Sequence, residues 1–262
     1  MTRSIGLMCA GWLLVAAPGA AAEHCQARSG TQTVPLVELY TSQGCNGCPP
    51  AEKWLDRFIE SEDPAKTAVL ALHVDYWDDL GWRDLFGAKL HSQRQNARVA
   101  MAKGKVVVTP QVMIGKEVNV NWRSGSRVDA VLEQVRAQPA AVDLAIQSRT
   151  QDQTVHVDFT AIRNAGPSGT EPAYVWLALY EDGLSSAIRE GENKGKTLRH
   201  ERVVRALKGP WELDARPIAG DAQIALPDRA DPAQMGVVLF AESRANGASL
   251  QTLQVPLASC LQ

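Results

Sequence analysis

Two cysteines separated by two residues, Cys45-Asn46-Gly47-Cys48, with Pro49 and Pro50 directly behind them, are the side chains of this sequence best placed to do chemistry. Such a pair supports thiol–disulfide exchange, in which one thiolate attacks a disulfide and the second thiol resolves the mixed disulfide. Cys45 is expected to be the exposed nucleophile, and Cys48, inside the first turn of a following helix, the shielded resolving thiol. Unpaired N–H groups and the positive dipole end of that helix would lower the Cys45 pKa, to roughly 3.5–7.5 in known sites of this kind. Gly44 and Gly47 leave room for a substrate backbone. The pair also fits a static bridge or half of a zinc site, but structural zinc usually takes a second close pair, and the sequence contains no second CxxC and no HxxxH.

The elements that must position these sulfurs follow from the apolar pattern. Residues 34–40 read as a buried strand, 49–60 as a helix with its prolines in the first turn, where a missing N–H costs least, and 68–74 as a second buried strand. Strand, helix and strand form a βαβ unit, so the two strands are expected to be parallel. Residues 75–82 form a loop rich in aromatics and acids, and 84–102 an amphipathic helix. Thr109-Pro110 leads into a strand at 111–114, which Gly115-Lys116 can turn back as a hairpin into 118–120. A last helix is expected over 127–137, stopping before Pro139. Beyond it the texture changes to short strands without helical interludes, at 141–147, 154–160, 174–181, 197–207, 234–242 and 250–257, which reads as a β-sandwich.

Residues 1–22 have the pattern of a secretory signal peptide: Arg3, an apolar run over 5–17, and Ala20-Ala21-Ala22 before Glu23. An uncleaved N-terminal anchor is the competing reading, but the run falls short of the roughly 20 apolar residues of a span. Export places the protein in the periplasm or the medium, with no stable membrane insertion after cleavage. The formal charge of −2 becomes −3 once Arg3 leaves with the leader. That mildly acidic chain lacks the basic face a nucleic acid would need. Four cysteines then remain, Cys25, Cys45, Cys48 and Cys260, an even count in an oxidising compartment. With Cys45 paired to Cys48, a structural disulfide between Cys25 and Cys260 would tie the ends of the mature chain together.

The layout of strand, short loop, CxxC and helix resembles a thioredoxin-type site. That resemblance implies a cis Thr109–Pro110 bond turned toward the sulfurs, with the backbone at Thr109 pairing with substrate. The resemblance also implies that Glu38, on the strand leading to the site, exchanges a proton with the resolving thiol; the same residue can instead point to solvent. Tyr76 and Trp77, which follow His73, are expected to line a substrate-binding face, with a metal ligand set or a core or lid role as the alternatives. The expected fold class is therefore an α/β thioredoxin-like domain over 23–139 followed by an all-β sandwich-like domain over 140–262. The stretches 37–52, 73–78, 109–111 and 192–195 together resemble a family of exported bacterial thioredoxin-like proteins without an assigned function. Asn46-Gly47 differs from the intervening pairs of reducing thioredoxins and of a strong periplasmic oxidant, which leaves the direction of exchange open.

The expected activity is that of a periplasmic or secreted thiol–disulfide oxidoreductase working on a protein thiol, disulfide or redox partner, without a cofactor. Its residues are Cys45, Cys48, Pro110 and Glu38. The alternatives are a non-catalytic binding protein, or a copper carrier using Cys45, Cys48 and His73. His73, at a strand end, also fits a packed, hydrogen-bonded residue. The polar run 192–200 either folds over the CxxC face or lies in solvent as a charged edge.

Overall fold

A computed structural model describes residues 24–165 and 171–260, apart from the side chains of His24 and Cys260. The expected signal peptide and the Cys260 end of the expected bridge lie outside the described residues. Cys25 is buried and held in a disulfide.

The apolar runs of the N-terminal half form the expected βαβ unit. Strand β2 (Leu36–Thr41) lies parallel to β3 (Ala68–His73), and α1 (Pro49–Ser61) connects them. Helix α2 (Lys89–Met101) starts later than its apolar pattern suggested, because residues 75–88 are spent on turns. Strand β4 (Gln111–Ile114) pairs antiparallel with β2, and α3 (Gly125–Arg136) follows. The expected return strand at 118–120 does not form; a single bridge between Ile114 and Glu117 closes the turn.

In the C-terminal half, long strands dominate: β5 (Val142–Gln151), β6 (Thr154–Arg163), β7 (Ala173–Glu181), β10 (Val203–Leu213), β11 (Ile218–Ala225), β12 (Met235–Ser243) and β13 (Ser249–Pro256). A short hairpin, β8 (Leu184–Ala187) and β9 (Thr197–His200), projects from them. The first strand, β1 (His24–Arg28), pairs with β5 in a four-stranded sheet of order β1-β5-β6-β11. Strands β1, β8 and β11 had no counterpart in the sequence reading.

The expected fold class does not hold. The described residues form thirteen strands and three α-helices, and one mixed seven-stranded sheet of order β13-β12-β7-β10-β3-β2-β4 runs through both halves of the sequence. The seam is the parallel pairing of β10 with β3, where Ala71 donates its N–H to the Arg202 carbonyl. The strands at residues 173–181 and 235–243 therefore belong to the same sheet as the CxxC-bearing strand, rather than to a separate sandwich.

Side-chain alternation explains how that sheet is covered. One face carries Leu36, Tyr40, Leu70, Leu72, Trp176, Ala178, Val238 and Phe240, packed against α2 residues such as Val99 and Leu90. On the other face, Val37, Leu39, Val69 and Ala71 pack under α1 and α3, while Val175, Leu177, Leu179, Val237 and Leu239 pack against the four-stranded sheet. Both faces of β2, β3, β7 and β12 are buried, so these strands read as continuous apolar runs. Among the described residues no helix is long and apolar enough to cross a membrane.

Candidate functional site

Cys45 and Cys48 form a disulfide across the loop between β2 and α1, with Cα atoms 5.4 Å apart. Cys48 is the N-cap of α1, and Pro49 and Pro50 occupy its first positions. Two of the N–H groups a helix normally leaves unpaired are thus absent, and those of Ala51 and Glu52 already donate to the Cys48 carbonyl. The helix start offers a Cys45 thiolate fewer donors than the sequence pattern implied. Cys45 is only 2% exposed and Cys48 fully buried, so the expectation of an exposed nucleophile is not met.

Three elements close over the sulfurs. The Thr109–Pro110 peptide is cis, the Thr109 carbonyl lies 3.7 Å from Cys45 Sγ, and a Cβ at Gly47 would sit 3.7 Å from the Pro110 ring. Trp77 donates its indole N–H to Thr109 Oγ1 at 2.7 Å. Tyr76 stands at the exposed rim and bonds Gln95 instead. The third element is the loop between β8 and β9. Asn193, fully buried, donates through Nδ2 to the carbonyls of Gln43 (2.9 Å) and Cys45 (3.0 Å), and Glu192 accepts from the Asn46 N–H at 3.0 Å. Lys196 fixes the Asn193 amide by donating to its Oδ1. The polar run at 192–200 thus folds over the CxxC loop, one of the two placements open in the sequence. Gly191, at a φ of +69° that disfavours a side chain, is pressed against Trp82: a Cβ there would meet Trp82 Cβ at 3.0 Å.

Behind the disulfide lies a buried cluster of acids and histidines. Glu52, four residues after Cys48 and on the same face of α1, accepts from Thr41 Oγ1 at 2.6 Å and from His200 Nδ1 at 2.9 Å. His73, at the end of β3, bonds Asp84 Oδ2 through Nδ1 at 2.7 Å, while its buried Nε2 has no partner. Asp84 also accepts from the N–H groups of Gln43 and Phe86. Burial pushes the His73 pKa down, but Asp84 beside it outweighs this and raises it; burial likewise pushes Asp84 up, and His73 together with these hydrogen bonds holds it below the usual carboxylate range. Gln43 ties the cluster to the loop, accepting from Trp82 Nε1 and reaching Ser186 Oγ and His200 Nε2 with its amide nitrogen. Asp56, one turn beyond Glu52, has a buried oxygen without a partner. Its carboxyl is pushed up to about 6, by burial first and then by Glu201 and Glu52.

Glu38 is placed elsewhere. It lies on the opposite face of β2 from α1, clamped by Arg94 Nε at 2.7 Å and by the Tyr40 hydroxyl. Arg94 and Arg98 from α2 also hold Glu242 of β12, at 2.8 and 2.6 Å. The copper set of Cys45, Cys48 and His73 does not assemble either; among the described residues, His73 gathers with Glu52 and His200. Glu52, Asp84, Gln43 and His200 escaped the sequence reading. For Glu52 a signal existed in its spacing from Cys48; for His200, 148 residues away from Glu52, there was none.

A family model described as "Protein of unknown function (DUF1223)" matches residues 36–242. No curated protein matches the sequence. Two solved structures share the fold. Protein AGR_C_4864 from Agrobacterium tumefaciens is 22% identical, with a TM-score of 0.57 over 86% of this chain and 96% of that one. HBP35 of Porphyromonas gingivalis is 13% identical, with a TM-score of 0.65 over 87% of this chain and 76% of that one.

Proposed function

We propose that this chain, which belongs to the DUF1223 family of proteins of unknown function, is an exported thiol–disulfide oxidoreductase acting through Cys45 and Cys48. The observation that carries the reading is the disulfide between these two residues at the start of α1. In the oxidised protein a substrate thiolate attacks Cys45 Sγ, the Cys45–Cys48 bond breaks, and Cys48 leaves as a thiolate that takes a proton. A second substrate thiolate then attacks the mixed disulfide and releases Cys45. The substrate loses two electrons and the protein gains them; reduction of a substrate disulfide runs the same steps backwards. The carbonyl of Thr109 beside Cys45 offers an acceptor for an incoming backbone N–H, and Trp77 holds the Thr109 side chain.

A locked bridge in a binding protein is the competing reading, favoured by the burial of Cys45 and the Asn193 clamp over it. The two separate by titrating the mature protein through glutathione and dithiothreitol buffers with thiol trapping. A couple within about −120 to −270 mV, with exchange activity lost in Cys45→Ser, supports the oxidoreductase. A couple below about −300 mV supports the locked bridge.

A further inference from the structure

We propose that Glu52, His73 and His200 form a buried binding site for a divalent first-row transition ion, with zinc as its probe. One donor atom from each residue lies within 4.8 Å of the others, and all three residues are buried. They come from α1, the end of β3 and the end of β9, so the fold rather than any local motif brings them together.

The tautomer of His73 is the central observation. Its Nδ1 is committed to Asp84, whose carboxylate is itself fixed by two backbone N–H groups. In the neutral ring with Nδ1 donating, the lone pair is on Nε2, which is buried without a partner, and a metal ion binding there takes the place of any proton. A carboxylate that orients one imidazole nitrogen so that the other faces inward is the usual outer-shell support of a metal-bound histidine. Charge points the same way. Glu52 and Asp84 are both buried, and neither forms a salt bridge with a lysine or arginine among the described residues. Two imidazoles and one carboxylate suit zinc or ferrous iron better than magnesium or calcium. Tetrahedral bonds of about 2.0–2.2 Å place donors roughly 3.4 Å apart, so Glu52 and His200 Nδ1, now joined by a 2.9 Å hydrogen bond, must open slightly to admit an ion.

Gln43 makes this adjustment observable. Trp82 Nε1 can only donate, so it fixes Gln43 Oε1 as its acceptor and turns the amide NH2 toward His200 Nε2. His200 therefore carries its proton on Nδ1, where it donates to Glu52. An ion bound at Nδ1 displaces that proton to Nε2 of the same ring. Gln43 must then turn its oxygen toward His200 and release Trp82, which packs against Gly191 at the base of the loop covering the disulfide.

The test uses the mature chain with its Cys45–Cys48 disulfide closed, so that no thiolate from that pair competes as a ligand and the outcome is independent of the redox reading. Zinc is titrated against a chromophoric chelator, with tryptophan fluorescence followed in parallel. One equivalent is expected to bind, with affinity lowered about 10- to 100-fold in Asp84→Asn and further in His73→Asn and His200→Asn. The fluorescence change is expected to disappear in Trp82→Phe while binding remains. Zinc X-ray absorption on the unmodified protein covers the case in which the histidine variants fail to fold, and should show only nitrogen and oxygen neighbours, including imidazole. Substoichiometric binding by the unmodified protein, sulfur in the zinc shell, or full affinity in folded histidine variants would each overturn the site.

Discussion

Two buried charge clusters lie on opposite faces of the same sheet, and burial acts on their carboxyls in the same direction. On the α2 face, Glu38 and Glu242 meet Arg94 and Arg98 one for one. Burial pushes the Glu242 carboxyl up, yet the two guanidiniums outweigh it and hold the group down at about 2. Arg94 also stacks over the Trp176 and Phe240 rings, about 5 Å from each centroid. On the α1 face, Glu52 and Asp84 have histidines and hydrogen bonds but no guanidinium partner, and half-buried Asp56, with one oxygen unpartnered, rises to about 6. The first cluster is balanced in charge, although Arg98 Nε is buried without a partner, and it bolts α2 to strands from both halves of the sequence. The second has an orphan nitrogen and an excess of acid, and it lies directly behind a disulfide. Burial raises both Glu242 and Asp56, and the charges beside them set the outcome: two guanidiniums pull Glu242 down, while Glu201 and Glu52 push Asp56 further up.

The contrast breaks first at Arg94. Arg94→Met leaves Glu38 and Glu242 buried with one guanidinium between them, so a loss of about 3–5 kcal/mol is expected in urea unfolding; a loss below about 1 kcal/mol would mean that this cluster does not hold the sheet together. The same cluster sets the acid limit. Because the folded pKa of Glu242 is depressed from 4.5 to about 2, its contribution is fully present above pH 4.5 and is lost as pH falls toward 2. About 3 kcal/mol is at stake, and Glu242→Gln should flatten that part of the stability profile.

On the other face, Asn193→Ala removes two hydrogen bonds to the CxxC loop. A cost of about 1–2 kcal/mol is expected, together with roughly tenfold faster reduction of Cys45–Cys48 by dithiothreitol; an unchanged reduction rate would show that the loop does not limit access. The smallest effect is expected at Asp56. Its raised folded pKa makes stability fall as pH rises from about 4 to about 6, so Asp56→Asn should stabilise the protein at pH 7 and not at pH 4. Water screens this half-exposed group, which limits the gain to about 1 kcal/mol or less. A stabilisation equal at both pH values would count against the acid excess on this face.

Much of the local structure was legible in the sequence. The CxxC motif, the buried runs of β2 and β3 with their parallel pairing, the proline-led start of α1 and the strand character of the C-terminal half all follow from short-range patterns of residue type. The missed strands carry weaker patterns: β8 is four residues long and only partly buried, and β11 alternates but sits at the edge of its sheet. Glu38 takes neither placement expected for it, at the resolving thiol or in solvent, but is buried against Arg94. Side chains alternate across a strand, so residue 38 faces α2 while residues 37, 39 and 41 face α1, and only the latter side reaches the helix that follows the cysteines.

Residue type and spacing determined by themselves that this chain carries a strand–loop–dithiol–helix unit, because such patterns act over a few residues. Tertiary structure decided that β10 docks on β3 to make one sheet from both halves, that Asn193 seals the sulfurs, and that His200 meets Glu52 across 148 residues. Those contacts arise from packing whole faces against one another, and no local propensity encodes which distant faces will meet.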